Sequence, residues 1–197
     1  MINKYDNFNE LKNEIEKFIS IIKLDIRKND LIYLAKMIIF LKQIIYNLED
    51  TYYGCCMLSD IFEIIHLLNF TSKRLFYMIY RSQIENSLRI ICELKMNDST
   101  GVNELVRKTQ LICGNKANEN YSYIKHQYKI GCNYTHSNIK NNCNLYEYFN
   151  DTIYTDKPNK SEVQKLFLIE LKYLEKYINL ITAHPAQPPA LLVVWTA

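Results

Sequence analysis

Apolar residues recur along most of this chain at steps of three and four, the repeat that lines one face of an α-helix. Phe8, Leu11, Ile15, Phe18 and Ile22 draw one such stripe, with Asn7 or Asn9 placed to cap a first helix. A second pattern runs from Leu31 to Leu48, where Ala35, Ile38, Leu41 and Ile45 share a face and Asp30 stands in the capping position. Its apolar arc is broad, so this helix is expected at the centre. Tyr52-Tyr53-Gly54 interrupts the period and predicts a shorter helix only from Ser59 to Leu68. The next helix spans Thr71 to Leu94, with Leu75, Met78, Ile79, Leu88, Ile91 and Cys92 as core candidates, and Asn97 to Gly101 reads as a loop.

Val102 to Cys113 and Glu119 to His136 predict two further helices, separated at Gly114-Asn115-Lys116. From Ser137 to Asn159 the chain is rich in Asn, Asp and Tyr and no period persists, which predicts an irregular loop. A last helix from Ser161 to Ile181 has Val163, Leu166, Phe167, Ile169, Leu174, Tyr177, Ile178 and Ile181 to bury, with Ser161-Glu162 as its start. No internal repeat or second domain is evident. Residues 1–182 read as one domain, and the fold class as all-α: an up-and-down helical bundle of four main helices with short additional helices. Residues 183–197 carry three of the four prolines and the only tryptophan, a composition foreign to the body of the chain, and are set aside as a non-native or disordered tail.

Composition narrows the function classes only modestly. The 197 residues suffice for one sizeable core, and a formal charge of +3 is far from the balance of a dedicated nucleic-acid binder. None of the six cysteines forms the two-residue-spaced pair of a structural zinc site. Met1 to Leu11 is polar and lacks the build of a secretory signal, so a reducing, cytoplasmic location with free thiols is expected. No apolar run reaches the roughly 18 residues needed to span a bilayer, so no membrane segment is predicted. A Gly-rich phosphate loop, a His-Glu-x-x-His zinc motif, a di-iron Glu-x-x-His pair and a nucleophile elbow are all missing, and no cofactor or metal is expected.

The candidate chemistry lies in the polar stretch Tyr128 to Asn138. There His136 stands beside Asn133, Thr135 and Asn138, where a packed core would favour aliphatic residues. Tyr128, Cys132 and His136 follow at four-residue steps, with Lys125 and Lys129 near enough to attract a phosphate. His126 falls on a different face and reads as a surface histidine. On the helix after Thr71, Arg81, Glu85 and Arg89 place a carboxylate between two guanidinium groups along one stripe. That spacing fits a solvated ion-pair stripe as well as a partly buried network directed at a site.

An Arg81-x-x-x-Glu85-x-x-x-Arg89 helix followed by a later helix ending in Asn133-Tyr134-Thr135-His136 resembles the HEPN superfamily of prokaryotic helical-bundle proteins, over roughly Leu31 to Ile181. Many members are similar to toxins and phage-defence ribonucleases, in which an arginine, four to six residues and a histidine form a metal-independent RNA-cleaving site across a dimer interface. The matching positions are Lys129, six intervening residues and His136. Lysine replaces arginine there, offering a phosphate a positive charge but not a planar bidentate fork.

The resemblance implies catalytic roles for His136 and Lys129, phosphate contacts from Arg81 and Arg89 with Glu85 between them, and substrate orientation by Asn133 or Tyr134. Metal-independent RNA cleavage needs a group to take the 2′-hydroxyl proton, one to protonate the leaving oxygen and a cation for the charged phosphorane. With one good imidazole per subunit, a C2 homodimer would pair two copies of His136. The expected partners are RNA, a second copy of the chain, and an antitoxin or defence-system protein. Two readings stand beside the ribonuclease: a non-catalytic HEPN-like module binding RNA, a nucleotide or a partner protein, and a structural helical protein whose polar stripes only solvate it.

Overall fold

The apolar steps of three and four become seven α-helices in the computed structural model, which describes residues 8–68, 72–114, 118–135 and 158–182. They are α1 (Phe8–Ile21), α2 (Lys28–Tyr46), α3 (Tyr52–Leu67), α4 (Lys73–Ile91), α5 (Val102–Cys113), α6 (Asn118–Thr135) and α7 (Lys160–Thr182). No strand occurs among the described residues. Asn7, the expected start at Thr71, His136, the loop expected from Ser137 onward as far as residue 157, and the 183–197 tail lie outside them.

Helix starts are set by side chains that satisfy the orphan amides of a first turn; Asn9 lies inside α1 and does not cap it, and the starts of α2, α7 and α3 depart from expectation for identifiable reasons. Asp30 does not cap α2. It sits inside the first turn, where its carboxylate accepts from Arg27 Nε at 2.8 Å and Nη2 at 3.2 Å. Ser161 does not start α7; instead Asn159 Oδ1 accepts the Glu162 amide at 3.0 Å while Glu162 Oε2 accepts the Asn159 amide at 3.0 Å. That reciprocal pair is a capping box. The third difference is the largest, because α3 begins seven residues before the expected Ser59, at Tyr52, whose amide donates to Asp50 Oδ1 at 2.8 Å. Gly54 therefore breaks nothing. It lies buried in the first turns of α3, where a Cβ would come within 2.5 Å of Ile45 Cγ2, so glycine lets α3 press against the end of α2. Helix α4 starts two residues after the expected Thr71 and is capped by Ser72, whose hydroxyl accepts the Leu75 amide at 3.1 Å.

The cross-helix contacts give each helix its direction. Asp60 of α3 meets Asn86 of α4 at 2.8 Å, and the two helices pack closely along their lengths. Helix α6 runs antiparallel to α4, since Tyr134 meets Tyr77 at one end and Tyr128 meets Glu85 at the other. Helix α7 runs parallel to α4: Glu162 pairs with Lys73 at 2.9 Å, Glu170 with Gln83 at 2.7 Å, and Tyr173 with Ser87 at 2.6 Å. Helix α2 buries Leu31, Leu34, Met37, Phe40, Leu41 and Ile44 and touches α1, α3 and α7. Yet the hub is α4, which packs most closely on α3 and α6 and also meets α5, so the helix expected at the centre is not the one the others gather on. The amphipathic α1 is more peripheral, with Ile15 buried and Phe18 edge-on to Phe62 of α3 at 6.3 Å.

The core register of α4 is only partly the expected one. Leu88 and Ile91 are buried, Ile79 packs on the core, and Met78 is 47% exposed. What α4 buries ahead of them is Phe76, Tyr77, Tyr80, Gln83, Ile84 and Ser87, a stripe that is aromatic or polar except at Ile84. Among the described residues no helix is long and apolar enough to cross a membrane.

Candidate functional site

The polar residues of α4 and α6 meet where the last turns of α6 cross the middle of α4. Gly131 makes the approach possible: a Cβ there would sit 3.2 Å from Arg81 Cβ and 3.4 Å from the Tyr77 carbonyl oxygen. With no side chain between the helices, groups one turn away can reach across. Arg81 Nε donates to Glu85 Oε1 at 3.0 Å and to the Tyr128 hydroxyl at 3.2 Å, and the Tyr128 hydroxyl donates to the same Glu85 oxygen at 3.0 Å. The Arg81 guanidinium also lies 5.5 Å from the Tyr128 ring centroid, within cation–π range.

Arg81 reaches further to the end of α6. Its Nη1 donates to Thr135 Oγ1 at 3.4 Å, and that hydroxyl donates back to the Gly131 and Cys132 carbonyls, each at 3.0 Å. A cation at the carboxyl end of a helix opposes the partial negative charge of its last carbonyls. Arg81 therefore ties the final turn of α6 to α4 by both charge and hydrogen bonding, and His136 is the next residue in the chain. One turn before Arg81 on α4, the ring of Tyr77 stacks on that of Tyr134 with centroids 3.9 Å apart and planes 13° from parallel. Burial, followed by the neighbouring Tyr134, pushes the Tyr77 phenol up to about 12. Burial also raises Tyr128, helped by Cys132 and by the Glu85 carboxylate, so both phenols stay protonated at neutral pH.

The structure thus brings Arg81 and Glu85 together and separates Arg89 from them. Arg89 Nη1 donates to the Asp98 carbonyl at 3.2 Å and its carboxylate at 3.4 Å, Nη2 to the Thr100 carbonyl at 3.1 Å, and its guanidinium covers the Tyr53 ring at 5.2 Å. It pins the α4–α5 connection. Asn133 and Tyr134 lie exposed in the last turns of α6. Lys129 is exposed as well and, two residues from Gly131, is turned away from α4 by the helical repeat. His136 lies outside the described residues, so no distance places it against Lys129.

Tyr77 and Gly131 take part in this arrangement without having been singled out, while Thr135 and Tyr128, named in the polar stretch but given no role there, turn out to carry its contacts from α6. A glycine inside a helical pattern was the available signal, since it marks close backbone approach. Among the described residues no three His, Cys, Asp or Glu side chains gather as a metal would require, and the five described cysteines are free thiols. The chain matches no protein-family model, no curated protein and no solved structure.

Removing the guanidinium should loosen this junction. Arg81→Ala is expected to cost about 1–2 kcal/mol, between the few tenths of an exposed i,i+4 pair and the larger worth of hydrogen bonds to charged groups. Amide exchange of Gly131 to Thr135 should accelerate more than exchange in α2. Uniform acceleration over both helices would contradict the local role.

Proposed function

We propose that this chain is a HEPN-like, metal-independent ribonuclease acting in phage defence or as a toxin, with His136 moving the proton. The observation that carries this reading is the junction of Arg81, Glu85, Tyr128 and Thr135, which fixes the end of α6 immediately before His136. A histidine with a near-neutral pKa serves as acid or base only when its backbone is held in one place. The junction holds the turn that ends at Thr135, the residue before His136 in the chain. On this reading the helices form an up-and-down bundle with four main members, and two protomers associate about a twofold axis so that both copies of His136 reach one phosphate. An antitoxin or defence-system protein would regulate the dimer.

The exposed Lys125 and Lys129 favour a second reading. Together with the pairing of Arg81 to Glu85, they suit a non-catalytic module that binds RNA, a nucleotide or a partner protein. Lysines in solvent hold a phosphate backbone by charge, without the geometry cleavage requires.

Cleavage of a mixed RNA pool in excess chelator, by the wild type and by His136→Ala at equal folding, tests the first reading. Chelator-resistant cleavage by the wild type should fall about 10²- to 10⁴-fold in the variant, the usual worth of a positioned acid or base. No cleavage by the wild type, or equal cleavage by both, would overturn it; RNA binding without cleavage would establish the second.

A further inference from the structure

The most unusual group in the interior takes no part in that site. Glu170 of α7 is 1% exposed and faces Gln83 of α4, which is fully buried. Gln83 Nε2 donates to Glu170 Oε1 at 2.7 Å, while the remaining oxygens of the pair, Gln83 Oε1 and Glu170 Oε2, have no hydrogen-bonding partner. Two bare acceptors on adjoining buried groups are destabilising if left so, and an ionised carboxylate in that setting more so. One hydrogen added to Oε2 changes the count, because a carboxylic acid donates where a carboxylate cannot.

We infer that Glu170 is a neutral acid in the folded protein, its hydrogen donated to Gln83 Oε1 so that acid and amide close a ring of two hydrogen bonds, and that this proton locks α7 onto α4. The groups around the pair support the neutral form. From α3 the electrostatic neighbour is Asp60, a carboxylate, itself raised by burial and hydrogen-bonded to Asn86. From α4 and α6 come the phenols of Tyr80 and Tyr123, and from α7 that of Tyr173, all raised by burial first and then by Glu170 among their neighbours. Tyr173 and Ser87 complete the polar layer through the 2.6 Å bond between their hydroxyls. Burial, ahead of all else, lifts the Glu170 carboxyl from 4.5 to about 8.

The direction of the pH dependence follows. The folded chain holds a proton that the unfolded chain releases, so this contribution to stability is full below about 4.5 and is lost as the pH rises to and through about 8. Over that window the unfolding constant should rise close to tenfold per pH unit, the slope of one proton. Above it the ionised carboxylate faces Gln83 Oε1 with no donor between them. The lock rests on the geometry of the pair alone and stands whether or not the chain cleaves RNA.

The test compares urea unfolding of the wild type and Glu170→Gln between about pH 5.5 and about pH 7.5. A glutamine keeps both hydrogen bonds of the ring at every pH, so the variant should lose the slope of one proton and match or exceed the wild type at the alkaline end. Parallel profiles for the two proteins, or a variant weaker than the wild type throughout, would overturn the proposal; parallel profiles are also what an enclosed water in place of the proton would give. Should Glu170→Gln fail to fold, unfolding the wild type in weakly buffered urea at about pH 7 reads the same proton directly. Release of close to one proton per chain supports the lock and release of none rejects it.

Discussion

Tyr80→Ala is expected to lower the unfolding free energy by about 3–5 kcal/mol, the range for truncating a large aromatic in a packed core. Tyr80 is fully buried, and its ring lies between three others: Phe76 stacked at 5.5 Å, and Tyr77 and Tyr173 edge-on at 6.3 and 5.3 Å. Truncation would open a cavity where α4, α6 and α7 converge, and the surrounding rings are too rigid to close over it. The hydroxyl adds a smaller part, through a long 3.5 Å bond to Gln127 Oε1 and a hydrogen bond with Tyr123. Tyr80→Phe should therefore cost only about 0.5–1 kcal/mol, since a hydrogen bond of that length sits in the lower part of the net range. Urea unfolding at about pH 7 separates the two, with the dependence on denaturant unchanged. If both variants lose the same stability, the cavity argument fails and the hydroxyl network carries the site.

Periodicity showed which segments are helical. The bounds of α5 agree with expectation, and α6 and α7 are each helical from one residue before the expected start. Where periodicity misled, the cause was physical. Counting aliphatic residues put Met78 in the core of α4, yet the structure buries Tyr77, Tyr80, Gln83 and Ser87, because their polar tips find partners on α6 and α7. A period count treats such residues as surface. Glu170 escaped for the same reason, since nothing in the spacing of a single glutamate says that it meets a glutamine 87 positions away. Half of the proposed site was legible in the four-residue step from Arg81 to Glu85, which the structure keeps as a pair. The other half was not. Arg89 continues the same step but turns to Asp98 and Thr100, because the chain folds back past the end of α4 and offers it carbonyls there.

Gly54→Val should be the other severe substitution, and its cause is the opposite of a cavity. Propensity alone argues that glycine in a helix is a weakness, since glycine costs up to about 1 kcal/mol against alanine and valine recovers only part of that. Sterics outweigh this gain. A Cβ at position 54 would stand 2.5 Å from Ile45 Cγ2 and 2.8 Å from Cγ1, both far inside contact distance, and valine adds two further methyls on top of it. Ile45 is 1% exposed and hemmed in by the α2–α3 core, so it cannot swing clear without displacing its neighbours. Overpacking of this kind costs about 1–3 kcal/mol and occasionally more, and here the upper end is expected. The decisive comparison is a double-mutant cycle with Ile45→Ala, which removes both clashing atoms. Alone, Ile45→Ala should cost about 2–5 kcal/mol through the space it leaves. Combined with Gly54→Val, it should cost at least 1 kcal/mol less than the sum, because the new methyls fill that space. Strict additivity would place the strain in the backbone of the α2–α3 turn and leave Ile45 uninvolved.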